Sequence, residues 1–179
     1  MSRLDSHCHN TIAELLPRLR RFAYGLTGSS DSADDLVQEA CERALRDAAK
    51  WSGADYLDRW LFRAIRNLHV DQVRHRQVVE RHASSEQYIS AGAVDGEQAF
   101  ENLVTLGEVE KAISCLKEEQ RVPLLLISVE GFSYKEAAEI LDLPIGTVTS
   151  RLARARNQML EILASRGGRS ASREVIIDG

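Results

Sequence analysis

Arg151, Arg154 and Arg156 stand among Thr147, Thr149, Ser150 and Gln158, all inside one stretch of 12 residues. Guanidinium groups bond in pairs to guanine edges or to phosphate oxygens, and Thr and Ser hydroxyls serve either purpose. Val148, Leu152, Ala155 and Met159 fall on one helical stripe. Thr147, Ser150, Arg151, Arg154 and Gln158 fall away from it, with Thr149 and Arg156 on the borders. A basic helical face taken alone is more often a solvated surface. What precedes it shifts the balance. Ser133-Tyr-Lys-Glu136 is a capping box, a serine and a glutamate spaced to satisfy free amides at a helix start, and it opens a helix reaching Leu141. Leu143-Pro144 then disfavours helix at Leu143, while Pro144 suits the first position of a new one. A short helix, a tight turn and a second helix with an exposed polar-basic face is the helix-turn-helix pattern, and its chemistry suits DNA.

The chain as a whole is acidic, with a formal charge of −4 over 179 residues, so the basic face is local. Residues 31–47 hold six acids against two bases, and residues 59–82 hold six arginines against two acids. Residues 145–173 hold six arginines against one acid. Alternating blocks of this kind imply separate partners for separate surfaces. Arg59, Arg63, Arg66, Arg74 and Arg76 outnumber the neighbouring Asp58 and Asp71, an excess suited to phosphates. Other chemistry is thin. His7-Cys8-His9 has no metal-ligand spacing to Cys41 or Cys115, and three scattered cysteines do not make a disulfide framework. There is no glycine-rich phosphate loop, paired catalytic carboxylates or nucleophile motif, so neither catalytic residues nor a cofactor is expected. No apolar run approaches the roughly 18 residues of a membrane span.

The elements that must position these residues are helices. Apolar residues recur at three-and-four spacing over Ile12–Leu26, Ala33–Ala48, Leu57–Arg76, Leu106–Cys115 and Glu118–Val129. Thr105-Leu-Gly-Glu108 is a second capping box. Pro123 is expected close enough to the start of its helix for the missing N–H to cost little. Residues 82–104 are polar and rich in Ser, Ala and Gly, and read as a linker. The predicted fold is all-α: two small helical domains joined by a flexible linker, the C-terminal one containing the helix-turn-helix. The boundaries fall at 1–81, 82–104 and 105–167, with a tail over 168–179.

Two stretches carry a resemblance. "LKEEQRVPLLLISVEGFSYKEAAEILDLPIGTVTSRLARARNQML" (116–160) resembles region four of bacterial sigma factors of the extracytoplasmic-function group, where "G-S-Y-E-E-I-A-x-x-L-x-x-P-x-G-T-V-x-S-R-L-x-R-A-R" recurs. "LRRFAYGLTGSSDSADDLVQEACERALRDAAKW" and "RWLFRAIRNLHVDQVRHRQ" resemble region two of the same group. Together they cover about 120 of the 179 residues, in the family's order. A stand-alone helix-turn-helix regulator would leave residues 31–82 unexplained.

The resemblance implies a cytoplasmic alternative sigma factor that binds core RNA polymerase through the beta-prime clamp helices and the beta flap. Asp34, Asp35, Gln38, Glu39, Glu42 and Arg43 would form the docking face on the clamp, with service to the helix N-terminus as the alternative role of Asp34. The arginines of 59–76 would hold minus-ten DNA as it melts, and Lys50, Trp51 and Ser52 would line a pocket for a flipped base. Asn67 and Asp71 either read bases or brace their helix. Trp60 lies on the apolar stripe and is assigned to the core, which leaves Trp51 as the stacking residue. Thr147, Thr149, Ser150, Arg151, Arg154, Arg156 and Gln158 would meet duplex DNA at the minus-35 element. An anti-sigma factor clamping both halves is also implied. Two positions depart from the pattern: Thr149, where many members carry Lys, and Asp142, where many carry Gly.

Overall fold

A computed structural model describes residues 3–47, 56–82 and 105–171, with side chains over 8–47, 56–78 and 105–165. The elements in order are α1 (Arg3–Thr27), α2 (Ser30–Arg46), α3 (Leu57–His82), α4 (Leu106–Ser114), α5 (Glu118–Leu124), a π-helical segment (Leu125–Val129), α6 (Tyr134–Leu141) and α7 (Ile145–Ala171). No strand occurs among the described residues. The expected linker lies almost wholly outside them.

Local chemistry sets the ends. Gly28 has φ of 68° after α1, and Ser29 then caps α2 by accepting from the Ser32 amide. Both predicted capping boxes form. Thr105 and Glu108 cap the start of α4, and Ser133 and Glu136 cap the start of α6, with the Glu136 carboxylate accepting from the Ser133 amide at 2.9 Å and its hydroxyl at 2.7 Å. Those bonds hold the Glu136 carboxyl below the usual carboxylate range. Ser133→Ala should therefore cost about 1 kcal/mol, read as a lower urea midpoint at unchanged slope; an unmoved midpoint would contradict the cap's role.

Several element ends differ from the sequence-based expectation: α2 spans Ser30–Arg46 rather than Ala33–Ala48, and α3 continues past Arg76 to His82. Helix α1 begins at Arg3, because Cys8, one turn before Ile12, continues the buried stripe. Pro17 lies inside α1 but on its exposed side. Helix α7 runs to Ala171, past the expected edge at Gly167. Pro123 is the sixth residue of α5, beyond the first turn, and the helix widens directly after it. In that wider turn the Glu130 amide donates to the Leu125 carbonyl at 2.9 Å.

The C-terminal half has a small core of its own, where Leu116 and Leu124 meet Leu152 and Ala155 of α7. The larger core is common to both halves. It joins Leu19, Phe22, Leu36, Leu61 and Ile65 to Leu125, Leu126, Phe132 and Ile140. Phe62 links the two, its ring 5.1 Å from Phe22 and 4.9 Å from Phe132, edge-on to both.

Candidate nucleic-acid and polymerase interfaces

The helix-turn-helix forms as α6, a turn over Asp142–Pro144, and α7. Asp142 ends α6 in the left-handed region, φ 53° and ψ 51°, and its amide donates to the Ala138 carbonyl. Glycine adopts that conformation without a Cβ penalty, which gives the departure at Asp142 a backbone meaning. On α7, Val148, Leu152 and Ala155 are buried, and Thr149, Ser150, Arg154 and Arg156 are exposed. Thr147, Arg151 and Gln158 are half-buried. The Thr149 and Ser150 hydroxyls donate to the Ile145 and Thr147 carbonyls at 2.9 and 3.0 Å. Each hydroxyl oxygen can still accept a hydrogen bond while it donates. Arg156 donates to the Ser128 hydroxyl at 3.4 Å, and Arg151 lies 3.6 Å from Glu119. Arg154 makes no ion pair with any described residue.

The acidic side of α2 carries Asp34, Asp35, Gln38, Glu42 and Arg43 in the open, with Glu39 half-buried. Asp34 pairs with Arg20 of α1 at 2.9 Å, Glu39 with Arg43 at 2.5 Å, and Gln38 donates to Glu42 at 2.9 Å. Exposed pairs of this sort contribute only ~0.3–0.5 kcal/mol, so a partner can displace them cheaply.

The arginine side of α3 is differently placed. Arg59 stacks on Tyr56, 4.9 Å from the ring centre, and reaches Glu139 of α6 at 2.7 Å. Arg63 donates to the main-chain carbonyls of Glu139 and Ile140, the latter at 3.2 Å. These carbonyls end α6, where the helix dipole is negative. Arg66 donates to the Asn67 side-chain oxygen at 3.0 Å. Arg66 and Arg74 line a cleft of about 350 Å³ with Glu118, Glu119 and Arg151. Asp71 and Arg76 instead share a groove with Glu39 and Arg43 of α2. The structure thus brings part of the expected minus-ten set beside part of the expected clamp-binding set. Lys50, Trp51 and Ser52 lie outside the described residues. Trp60 packs against the core, as its place on the stripe predicts.

His69 faces the seam between α3 and α5. Burial holds its imidazole below the ordinary range; Glu118 opposes the shift, and Arg121 and Arg76 add to it. Its Nδ1 has no hydrogen-bond partner among the described residues. On acidification the unfolded chain takes this proton first. Stability held by neutral His69 is therefore complete above pH ~6.5 and falls as pH drops below it. His69→Gln should flatten the pH dependence of urea stability between pH 7 and 5.5; an unaltered slope would show that other groups cause it.

Of the three cysteines, Cys8 is buried, Cys41 half-buried and Cys115 exposed. Among the described residues no cluster of His, Cys, Asp or Glu could hold a metal ion, and no helix is long and apolar enough to cross a membrane.

Several contact residues were not anticipated from the sequence. Glu130, its side chain fully buried, accepts from Arg18 at 3.2 Å and from Arg21 at 2.8 and 2.9 Å. Arg18 also reaches the Glu130 carbonyl at 2.8 Å and lies over Phe62 and Phe132. Arg121 donates to the Leu26 carbonyl at 2.8 Å. The signal for Glu130 was present, a lone acid closing the apolar run "LLLISVEGF".

A helix-turn-helix with a basic outer face is thus joined to a half that sets an acidic helix beside an arginine-rich one. Residues 106–159 match the family described as Sigma-70, region 4, and residues 12–66 match the Sigma2 domain of PhyR. The ECF RNA polymerase sigma factor EcfG of Rhodopseudomonas palustris is 34% identical over 160 residues, covering 89% of this chain and 87% of that one. SigE of Mycolicibacterium smegmatis is 33% identical over 156 residues, covering 86% of this chain and 60% of that one. The sigma factor RpoE of Bartonella quintana, crystallised with the anti-sigma factor NepR, has a TM-score of 0.76 at 34% identity, over 87% of this chain and 96% of that one. The chain belongs to the extracytoplasmic-function group of RNA polymerase sigma factors. It is an alternative sigma factor, which binds core RNA polymerase and directs initiation at particular promoters.

Proposed function

We propose a division of labour along the chain. Residues 1–81 grip the polymerase and hold melted minus-ten DNA, residues 105–167 read the minus-35 duplex, and residues 82–104 tether the two. Asp35, Gln38 and Glu39 of α2 meet the beta-prime clamp helices. Arg66, Arg74 and Arg76, with Arg59 and Arg63 once freed, hold phosphates of the minus-ten strand. The outer face of α7 enters the major groove, Arg154 foremost. What most supports this reading is the sorting on α7, with Val148, Leu152 and Ala155 buried while Thr149, Ser150, Arg154 and Arg156 stand exposed. The Bartonella relative was crystallised with an anti-sigma factor. By that likeness an anti-sigma protein that contacts both halves restrains this chain in the cytoplasm.

Run-off transcription with purified core enzyme and a library of upstream sequences tests the whole reading. Transcripts from a defined subset sharing two spaced elements are expected, and start sites indifferent to upstream sequence would refute it. The docking surface has a narrower test. Asp35→Lys with Glu39→Lys should weaken core binding about tenfold, mostly through slower association. Helicity should hold, because losing the Glu39–Arg43 pair costs only a few tenths of a kcal/mol. Unchanged affinity for core would move the interface elsewhere.

A further inference from the structure

The arginines assigned to minus-ten DNA are not all free to meet it. Arg59 is taken by the Glu139 carboxylate at 2.7 Å, and Arg63 by the terminal carbonyls of α6. A carboxylate and a row of helix-end carbonyls present to these guanidiniums what a nucleic-acid backbone presents, negatively polarised oxygens at hydrogen-bond range. Both acceptors belong to the opposite half of the chain.

The surrounding contacts hold that half in place. Glu130 is gripped by Arg18 and Arg21, and Phe132 reaches Phe62 and the buried core of α1 and α3. Leu125 lies so close to Gly25 that a Cβ there would sit 2.8 Å from its methyl groups. Leu125 is itself buried and has little room to retreat. Gly25 is thus where α1 admits the C-terminal half.

We propose that the C-terminal half masks its own partner: α6, through Glu139 and its terminal carbonyls, acts as an internal phosphate mimic on Arg59 and Arg63. The Glu130 and Gly25 contacts latch it there. Opening of the latch exposes the minus-ten surface, so DNA and the closed arrangement compete for the same two arginines. This rests on the reading of α3 as a DNA surface.

The full chain carries the test in two measurements, the radius of gyration by small-angle scattering and the binding of a fluorescent random-sequence single-stranded 20-mer by anisotropy. Gly25→Leu wedges the latch, and Glu130→Arg sets like charge against Arg18 and Arg21. Circular dichroism checks that each remains helical. Gly25→Leu carries the test alone if the buried charge reversal prevents folding. The expected result is a larger radius and tighter DNA binding, about tenfold if the wild-type chain is closed nine-tenths of the time. Arg59→Ala with Arg63→Ala in the Gly25→Leu background should remove that gain. A wild-type radius in every folded variant overturns the latch and leaves the DNA reading untouched. A larger radius without tighter binding overturns the masking. Binding that ignores the arginine replacements overturns the DNA reading, and the masking with it.

Discussion

Replacing Arg18 and Arg21 together by alanine should break the cooperativity of unfolding. Both arginines satisfy Glu130, whose side chain has no exposure, while they themselves are partly open to water. Their removal strands a buried carboxylate 109 to 112 residues away in sequence, at a cost of ~3–5 kcal/mol if nothing relaxes. The chain has an alternative. Separating the halves would hydrate Glu130 but expose Phe132 and Leu125, at ~1.5–3 kcal/mol each. The two penalties are of similar size, so the open form should become well populated in the double variant. In the wild type the ion pairs and the apolar contacts act together, and the closed form prevails. Both tryptophans, Trp51 and Trp60, belong to the N-terminal half, whereas far-ultraviolet dichroism reports both halves. Urea curves from the two probes should coincide for the wild type and part in the variant, with dichroism falling first. Coincident curves at the wild-type midpoint would show that Glu130 is satisfied without these arginines.

The same residues mark the limit of what could be read from the chain. Whatever depends on near neighbours was legible. Both capping boxes, the turn at Pro144 and the buried stripe of α7 follow from spacings of three or four residues, and the structure has each of them. The surplus of arginine on α3 was legible as well, since charge can be counted. Where that surplus is directed could not be counted. The oxygens that take Arg59 and Arg63 stand 76 to 80 residues further along, and two of them are main-chain carbonyls, which no side-chain pattern reports. The common core hid for a related reason. Phe132 sits beside Gly131 in what reads as a loop, so its burial against Phe62 leaves no periodic trace. At Pro123 the difficulty was one of register. The helix start at Glu118 follows from the sequence, but the proline lies deeper than one turn, and a π-helical widening follows it.

Arg154→Ala should give the largest loss of promoter discrimination among the α7 variants. A bidentate contact to a guanine edge is worth ~1–3 kcal/mol against the wrong base, so run-off transcription from the matched promoter should fall roughly tenfold or more. Its neighbours provide the contrast. Arg151 is half-buried and engaged by Glu119, and Arg156 leans back toward Ser128, both positions better suited to the phosphate backbone. Arg156→Ala should therefore weaken binding to all upstream sequences alike and lower the salt slope by about 1. Arg154→Ala should instead relax preference at one upstream position and leave the slope nearly unchanged. Thermal stability should not move in the Arg154 variant, because the side chain is exposed and pairs with no described residue. If Arg154→Ala reduced every template equally, its role would be phosphate contact, and base reading on α7 would have to rest on Thr147, Ser150 and Gln158.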